Sequence, residues 1–455
     1  MSRIVIDAPT SALADFAAGL GWADLPEDLR HAARRNLLNV AGCALGGRAD
    51  PMIASFSTVL RGLSGAGAAS EIGGGRTDPA TAAFMNAAAA NVQDYDDQHL
   101  PTVMHPGPVV VGAALAAAEM VGADGHTLLT AIIAGLEGAC RIGNATHPWH
   151  YTAGFHITAT CGVFGAALAT ARILGLPAER IGWAIGHAAA QSAGLVETLA
   201  GPAKSTGVGA AARAGLHAAL YAQAGIAAPA APLTGRFGFL SVMAAGAEPA
   251  RITDGLGSAW ETLRSSPKAY PVGVVLHPVV DACLALRDEP GFDTAALRRL
   301  EVRGHPLLRI RADRPDITTG REATVSAQHV CAAALLRGRI GPGELTDATV
   351  MDPAILALRT RVVVVEDPAI PVEGATLVAD FVGGRRELHV PMGRSLPDRP
   401  MTDAELETKL RAQAAWGSPW CDVAAVIARC WSAEGLPHPE PLMALLRHSS
   451  GAPAA

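Results

Sequence analysis

Aromatic side chains are scarce, at 4% of 455 residues, whereas hydrophobic residues reach 50% and charged residues 17%. This balance excludes a disordered chain and assures a large core. With few rings to fill it, that core must be closed by small side chains, and the long Ala and Gly runs imply closely packed helices. No block of either charge appears, and the net charge is only −6. Nucleic-acid binding needs clustered Lys and Arg, so that partner is set aside. Apolar runs are broken by polar residues such as Glu119 and Arg172. None reaches the roughly 18 to 20 residues a bilayer requires. The opening MSRIVIDAPT lacks the apolar core of a signal peptide, so no membrane or export segment is expected.

Cysteine pairs are also missing. The seven cysteines (Cys43, Cys140, Cys161, Cys283, Cys331, Cys421, Cys430) form no C-x-x-C motif. They read as reduced, packed thiols of a cytoplasmic protein. Lysine is rarer still: only Lys204, Lys268 and Lys409 occur among 36 basic residues. Where arginine supplies nearly every positive charge, a retained lysine offers a compact, mobile ammonium in place of a planar fork. Chance survival explains the count equally well when it is taken alone.

What is present is helix after helix. Length alone suggests two to three domains at about 150 residues each. Pro26 opens a helix whose Leu29, Ala33, Leu37 and Ala41 repeat on one face. Asp78 and Pro79 read as an N-cap and first helical residue, with the helix running to about Val92. Further helices are predicted over about 108–121, 126–142, 158–174, 179–199 and 206–224. Near residue 266 the texture changes. Leu300 and Val302 alternate with charges, Val362 to Val365 are β-branched, and 375–382 with 385–390 flank a Gly383-Gly384 hairpin signal. A helix carrying Ala327, Val330, Cys331, Ala334 and Leu335 lies among them, with Gly338 as its C-cap. Helical character resumes at Thr402, where Thr402 and Glu405 fit a capping box, and the tail from His448 is expected to fray. The expected fold is mainly α with a smaller α+β domain. Residues 1–265 and 399–455 build one discontinuous all-helical domain, and 266–398 form an inserted lid domain.

Polar groups interrupt these helices at few places. Asp94, Asp96, Asp97, Gln98 and His99 follow one Ala-rich helix, and His105 precedes the next. Ionisable groups packed between buried helices are costly unless they act or are solvated. A solvated loop and a metal site built from Asp and His are both open readings. In HPWHYTAGFH, His147 and His150 form an H-x-x-H pair interrupted by Pro148, while His156 stands just before an apolar helix. Lys204 lies in GPAKSTG and Lys268 in SPKAYP, with His277 and Asp281 following in LHPVVDA. His277 also reads simply as a helix start. Together these groups suit carbanion chemistry. An Asp or His removes a proton next to a carboxylate, a second His protonates a leaving hydroxyl, and lysines stabilise the charge that develops.

At these residues the chain resembles the MmgE/PrpD family, which includes 2-methylcitrate dehydratase, cis-aconitate decarboxylase and iminodisuccinate epimerase. The matching stretches include NLLNVAGCALGG, NVQDYDDQHLPTVMHPGPVVVGAALAAAE, GFHITATCGVFGAALATARILGL, GPAKSTGVGAAARAG, APLTGRFGFL and SSPKAYPVGVVLHPVVDACLAL. The resemblance implies a homodimer with no metal and no organic cofactor, acting on a small di- or tricarboxylate. It implies catalytic roles for Asp94, His105, His156, Lys204 and Lys268, with Gln98 and His277 contacting substrate. Two of the three lysines thus fall on family lysines. The chain departs from the pattern at Gln98, where a Thr is usual, and at Gly107, where a Ser is usual. The expected activity is dehydration of the 2-methylcitrate dehydratase type. Epimerisation or decarboxylation at the same site are alternatives, and a non-catalytic carboxylate-binding protein is an alternative of another class.

Overall fold

A computed structural model describes residues 7–448, apart from Ala66, Pro202 and Pro397 and the side chain of Ala200. The expected fraying of the tail therefore lies, beyond His448, outside the described residues. The chain divides into two compact units. One comprises the described residues through Val92, Asp96–Ser265 and the described residues from Asp403; the other comprises Gln93–Tyr95 and Ser266–Thr402. The protein is mainly helical with a smaller α+β part.

The longer helices of the first unit are α1 (Ala8–Gly19), α2 (Glu27–Gly47), α3 (Pro51–Arg61), α4 (Pro79–Asn91), α5 (Pro106–Val121), α6 (Gly125–Thr146), α7 (Ile157–Ile173), α8 (Ala178–Ala189) and α9 (Ala203–Gln223). Local chemistry sets their ends. The Asp78 side chain accepts from Thr81 N with Pro79 in the first turn, and Asp124 does the same for Thr127 N. Gly122 closes α5 in the left-handed conformation (φ 65°). Inside, α4, α5 and α7 are buried along nearly their whole length. Small residues permit this density. A Cβ on Gly135 of α6 would lie 2.6 Å from the carbonyl oxygen of Gly165 of α7, and one on Gly165 would lie 2.6 Å from that of Gly135.

One predicted helix is shorter than expected. The 179–199 pattern stops at Ala189, and a 3-10 turn covers Val196–Ala200. Between them the backbone is diverted to its neighbours: His156 N donates to Gly194 O and Val196 N to Gly154 O, while Ser192 Oγ donates to Thr160 O. Tertiary hydrogen bonds outweigh the helical preference of the Ala-rich run. In the opposite sense, α9 begins at Ala203, so Lys204 stands in its first turn and not in the preceding break.

The second unit is built on a four-stranded sheet of β1 (Leu297–Gly304), β2 (Val362–Glu366), β3 (Ala375–Phe381) and β4 (Gly384–Val390), in the order β2-β1-β3-β4. β1 is parallel to β2 and antiparallel to β3. Alternation decides which face is covered: Leu300, Val302, Val362, Val364 and Leu377 join a core with α10 (His277–Arg287) and α11 (Ala327–Arg337), whereas Val363 is exposed. Gly338 ends α11 at φ 71° as predicted. The hairpin turn is displaced by one residue from the expected glycine pair. Phe381 pairs with Gly384, so Val382 and Gly383 form the loop. The chain then returns to the helical unit with α12 (Asp403–Gly417) and α13 (Val423–Trp431), α12 lying against α2. Among the described residues no helix is long and apolar enough to cross a membrane.

The Gly135–Gly165 contact gives a direct check on this packing. Gly165→Ala forces α6 and α7 apart and should cost about 1–3 kcal/mol, read as a lower midpoint in thermal denaturation with secondary structure retained. An unchanged midpoint contradicts the close approach.

Candidate active site

The first turns of three helices meet inside the helical unit. His105 immediately precedes α5, and its backbone N donates to Thr158 Oγ1 in the first turn of α7 at 3.0 Å. His156 immediately precedes α7. A Cβ built on Gly207, in the first two turns of α9, would lie 3.9 Å from His156 Nδ1. Ser205, next to Lys204 on α9, donates to Asn91 Oδ1 at 3.4 Å, and Asn91 Nδ2 donates to Asp96 Oδ2 at 2.9 Å. His105, His156 and Lys204 are thereby gathered in one region, where helix starts favour negative charge.

At its centre lies a contact the sequence reading did not single out. His105 Nδ1 bonds Asp96 Oδ1 at 3.0 Å, and Asp96 is fully buried. A carboxylate can only accept, so Nδ1 carries the proton, and in the neutral ring the lone pair is on Nε2. Asp96 was legible only as one of several acids in the run. What distinguishes it is its bond to Asn91 at the end of α4, which no spacing rule reveals.

The neighbouring Asp97 is also buried, and both its oxygens accept from Gly107 N, at 3.1 and 3.0 Å. Burial, and then the charge of Asp96, push its carboxyl up to about 7. A Cβ at residue 107 would stand 2.6 Å from Asp97 Oδ1. This is the physical reason for glycine where the family pattern has serine. Gln98 is buried beside it on the short strand Asp97–His99.

A brace fixes the segment from its other side. His99 Nδ1 bonds Thr102 Oγ1 at 2.8 Å, and His99 Nε2 bonds Glu261 Oε2 at 3.0 Å. Burial alone would raise the Glu261 carboxyl, but hydrogen bonds from His99 and Asn144 outweigh it and hold the group at about 2. The turn bearing Glu261 is tied to a buried pair: Glu137 accepts from the backbone N of Glu261 and Thr262, at 3.2 and 3.1 Å, and from Arg141 Nε at 2.6 Å. Arg141 also donates to the carbonyls of Ile252, Asp254 and Ala259. Two of the three described non-glycine residues with positive φ, Asp94 (53°) and Val103 (54°), flank this segment. For a β-branched residue such as Val103 that conformation is strained, and strain of this kind gathers where surrounding structure enforces a geometry.

The α+β unit holds the other predicted groups. Lys268 is buried, and its Nζ donates to Asp94 Oδ2 at 2.6 Å. Tyr95 Oη donates to Ala269 O at 3.1 Å, clamping the Asp94 stretch to the Lys268 stretch. His277, the first residue of α10, is fully buried and donates from Nδ1 to Arg394 O at 3.1 Å. Burial, then the Lys268 charge, lower it to about 4, so it is neutral near pH 7. Tyr270 stands edge-on to its ring, 5.4 Å between centroids, and donates to Asp281 Oδ1 at 2.6 Å. The H-x-x-H pair is not a zinc site in this arrangement. His150 Nδ1 donates to Met243 O and its Nε2 accepts from Thr160 Oγ1, so both ring nitrogens are used.

The helical unit thus carries a carboxylate–histidine pair and the α+β unit a carboxylate–lysine pair, groups able to hold and exchange protons. The MmgE/PrpD N-terminal domain matches residues 11–252 and the MmgE/PrpD C-terminal domain matches residues 270–433, and the chain belongs to the MmgE/PrpD family. It is 31% identical over 288 residues to a cis-aconitate decarboxylase of Aspergillus terreus, a match covering 60% of this chain and 59% of that protein. It is 27% identical over 444 residues to the cis-aconitate decarboxylase-like protein oryM of Aspergillus oryzae, covering 89% of this chain and 90% of that protein. To the human cis-aconitate decarboxylase it is 25% identical over 396 residues, covering 82% of this chain and 81% of that protein.

Two outcomes test this geometry. Gly107→Ser drives a side chain into the Asp97 carboxyl and should cost about 1–3 kcal/mol, seen as a lower unfolding midpoint; equal stability contradicts the crowding. Asp97, with a native pKa of about 7 against roughly 3.9 unfolded, binds more protons folded than unfolded between those values. Wild-type stability must therefore fall relative to Asp97→Asn as pH rises from about 4 to about 7. Unfolding curves across that window check the sign, and a flat difference rejects it.

Proposed function

We propose that this chain is a cofactor-independent lyase acting on a small di- or tricarboxylate through a carbanion next to a carboxylate. The observation that carries the proposal is the hydrogen bond between His105 and the buried Asp96, close to the starts of the helices that bear His156 and Lys204. The names of the relatives favour loss of CO2 from a cis-aconitate-like substrate as the outcome. In that reaction the C–C bond to one carboxylate breaks, its electron pair passes into the remaining unsaturated carboxylate, and a carbon takes up a proton. Doubly negative charge builds on the carboxylate that receives the pair. Lysine ammonium groups compensate it, the role we assign to Lys204 and Lys268. His105 exchanges the proton at Nε2 while Asp96 holds the ring and balances its charge when it is protonated. Asp94 keeps the Lys268 ammonium in place. His156 is the second acid–base group, and Gln98 and His277 contact substrate, His277 as a neutral ring.

Dehydration of the 2-methylcitrate type is a second reading, favoured by the presence of two histidines, His105 and His156, in one region. One would take the proton and the other protonate the leaving hydroxyl. The family likeness further supports a homodimer.

Proton NMR in D2O with cis-aconitate, citrate, 2-methylcitrate and iminodisuccinate separates the outcomes. Decarboxylation is expected to release CO2 and place deuterium on the product carbon, whereas dehydration leaves the carbon count unchanged. Binding without turnover across the panel overturns the lyase reading. For the assigned roles, His105→Asn should lower kcat by about 10²–10⁴-fold with KM nearly unchanged. A variant with near-normal kcat removes His105 from proton transfer.

A further inference from the structure

The third lysine is used by none of the roles above. Lys409 projects from α12, and is only 5% exposed. Its Nζ donates to Asn39 Oδ1 on α2 at 2.8 Å and reaches the main-chain oxygen of Asp96 at 3.5 Å. Glycines let the two helices approach: a Cβ at Gly42 would lie 2.9 Å from Leu410 Cγ, and one at Gly46 would lie 2.7 Å from Gln413 Cδ.

An ammonium at that depth costs several kcal/mol unless opposite charge compensates it. The same interior contains two buried carboxyls, Asp96 and Asp97. Cys43, one turn beyond Asn39 on α2, registers all three groups. Burial raises its thiol to about 12, Lys409 lowers it, and Asp96 and Asp97 raise it. The thiol is therefore neutral near pH 7. Charged and titratable groups around the ammonium include Cys43, Asp96, Asp97 and, bonded to Asp96, His105.

We propose that Lys409 is a positioning residue for the acid–base pair: its ammonium anchors the Asp96 main chain and compensates the buried Asp96–Asp97 pair, keeping Asp96 as the carboxylate that orients His105. A lysine suits this place where an arginine does not. An ammonium brings three donors on a slim stem, whereas a guanidinium brings five in a wide planar fork, all of which need partners. The functional half of this inference rests on the proton-transfer role given to His105; the electrostatic half does not.

Lys409→Met, compared with wild type by thermal unfolding at about pH 5.5 and about pH 8, reads the electrostatic half directly. The expected deficit is larger at the higher pH, where the Asp97 carboxyl is charged, and shrinks at the lower. Adding Asp97→Asn to Lys409→Met should narrow the deficit at the higher pH, and should yield folded protein if the single variant does not fold. An equal deficit at both pH values, with no relief in the double variant, means packing alone and overturns the proposal. In folded variants kcat should fall at least about tenfold with KM within about twofold. An unchanged kcat overturns the positioning role. If wild type turns over no carboxylate, the lyase reading fails while the unfolding comparison still decides the role of Lys409.

Discussion

The hydrogen bond from His105 to Asp96 is the constraint around which the helical unit is organised. Both partners sit where a helix ends or begins, and each is secured by its own neighbours. Asn91, at the end of α4, holds the outer oxygen of Asp96. Thr158, at the start of α7, holds the backbone of His105. Buried polar groups need hydrogen-bond partners, and here Asn91 and Thr158 supply them from neighbouring elements. The Ala- and Gly-rich helices make this possible, because backbones that approach within a few ångström bring their ends together as well.

Buried charge sets the second requirement. Asp94 is paired with Lys268 and Glu137 with Arg141, while Glu261 is held by a hydrogen bond with His99. The pairs differ in purpose. Arg141 and Glu137 spend their remaining hydrogen-bonding capacity on backbone groups and so shape a loop. Lys268 and Asp94 form a short contact in which the lysine is buried and the aspartate is itself left-handed, a costly arrangement that suits a cation held ready for a carboxylate. Lysine is confined to three positions in an otherwise arginine-rich chain, and all three are buried. A lysine places a compact charge on a slim stem, whereas a buried arginine such as Arg141 needs several oxygens around its fork.

Much of this was legible in the sequence where local chemistry dominates. Asp78-Pro79 announced the start of α4, Gly338 the end of α11, and the β-branched run at Val362 a strand. The region of the candidate site was legible as well, because ionisable residues stand out between apolar helices. Long-range hydrogen bonding was not. The Ala-rich run after Ala189 leaves its helix because Gly194 and Val196 pair with the His156 segment. Asp96, not a residue at some diagnostic spacing, is the partner of His105, and Gly107 is demanded by an oxygen of Asp97. Each of these depends on which groups meet across the fold, and local propensity carries no such information.

The central claim is that Asp96 dictates the state of the His105 ring. Imidazole nitrogen NMR of protein labelled at histidine, with the His105 signals identified by their loss in His105→Asn, tests it most directly. The expected result is a His105 Nδ1 that carries a proton and is hydrogen-bonded there, and a loss of that preference in Asp96→Asn. A ring protonated only at Nε2 in wild type, or signals unmoved by Asp96→Asn, would contradict it.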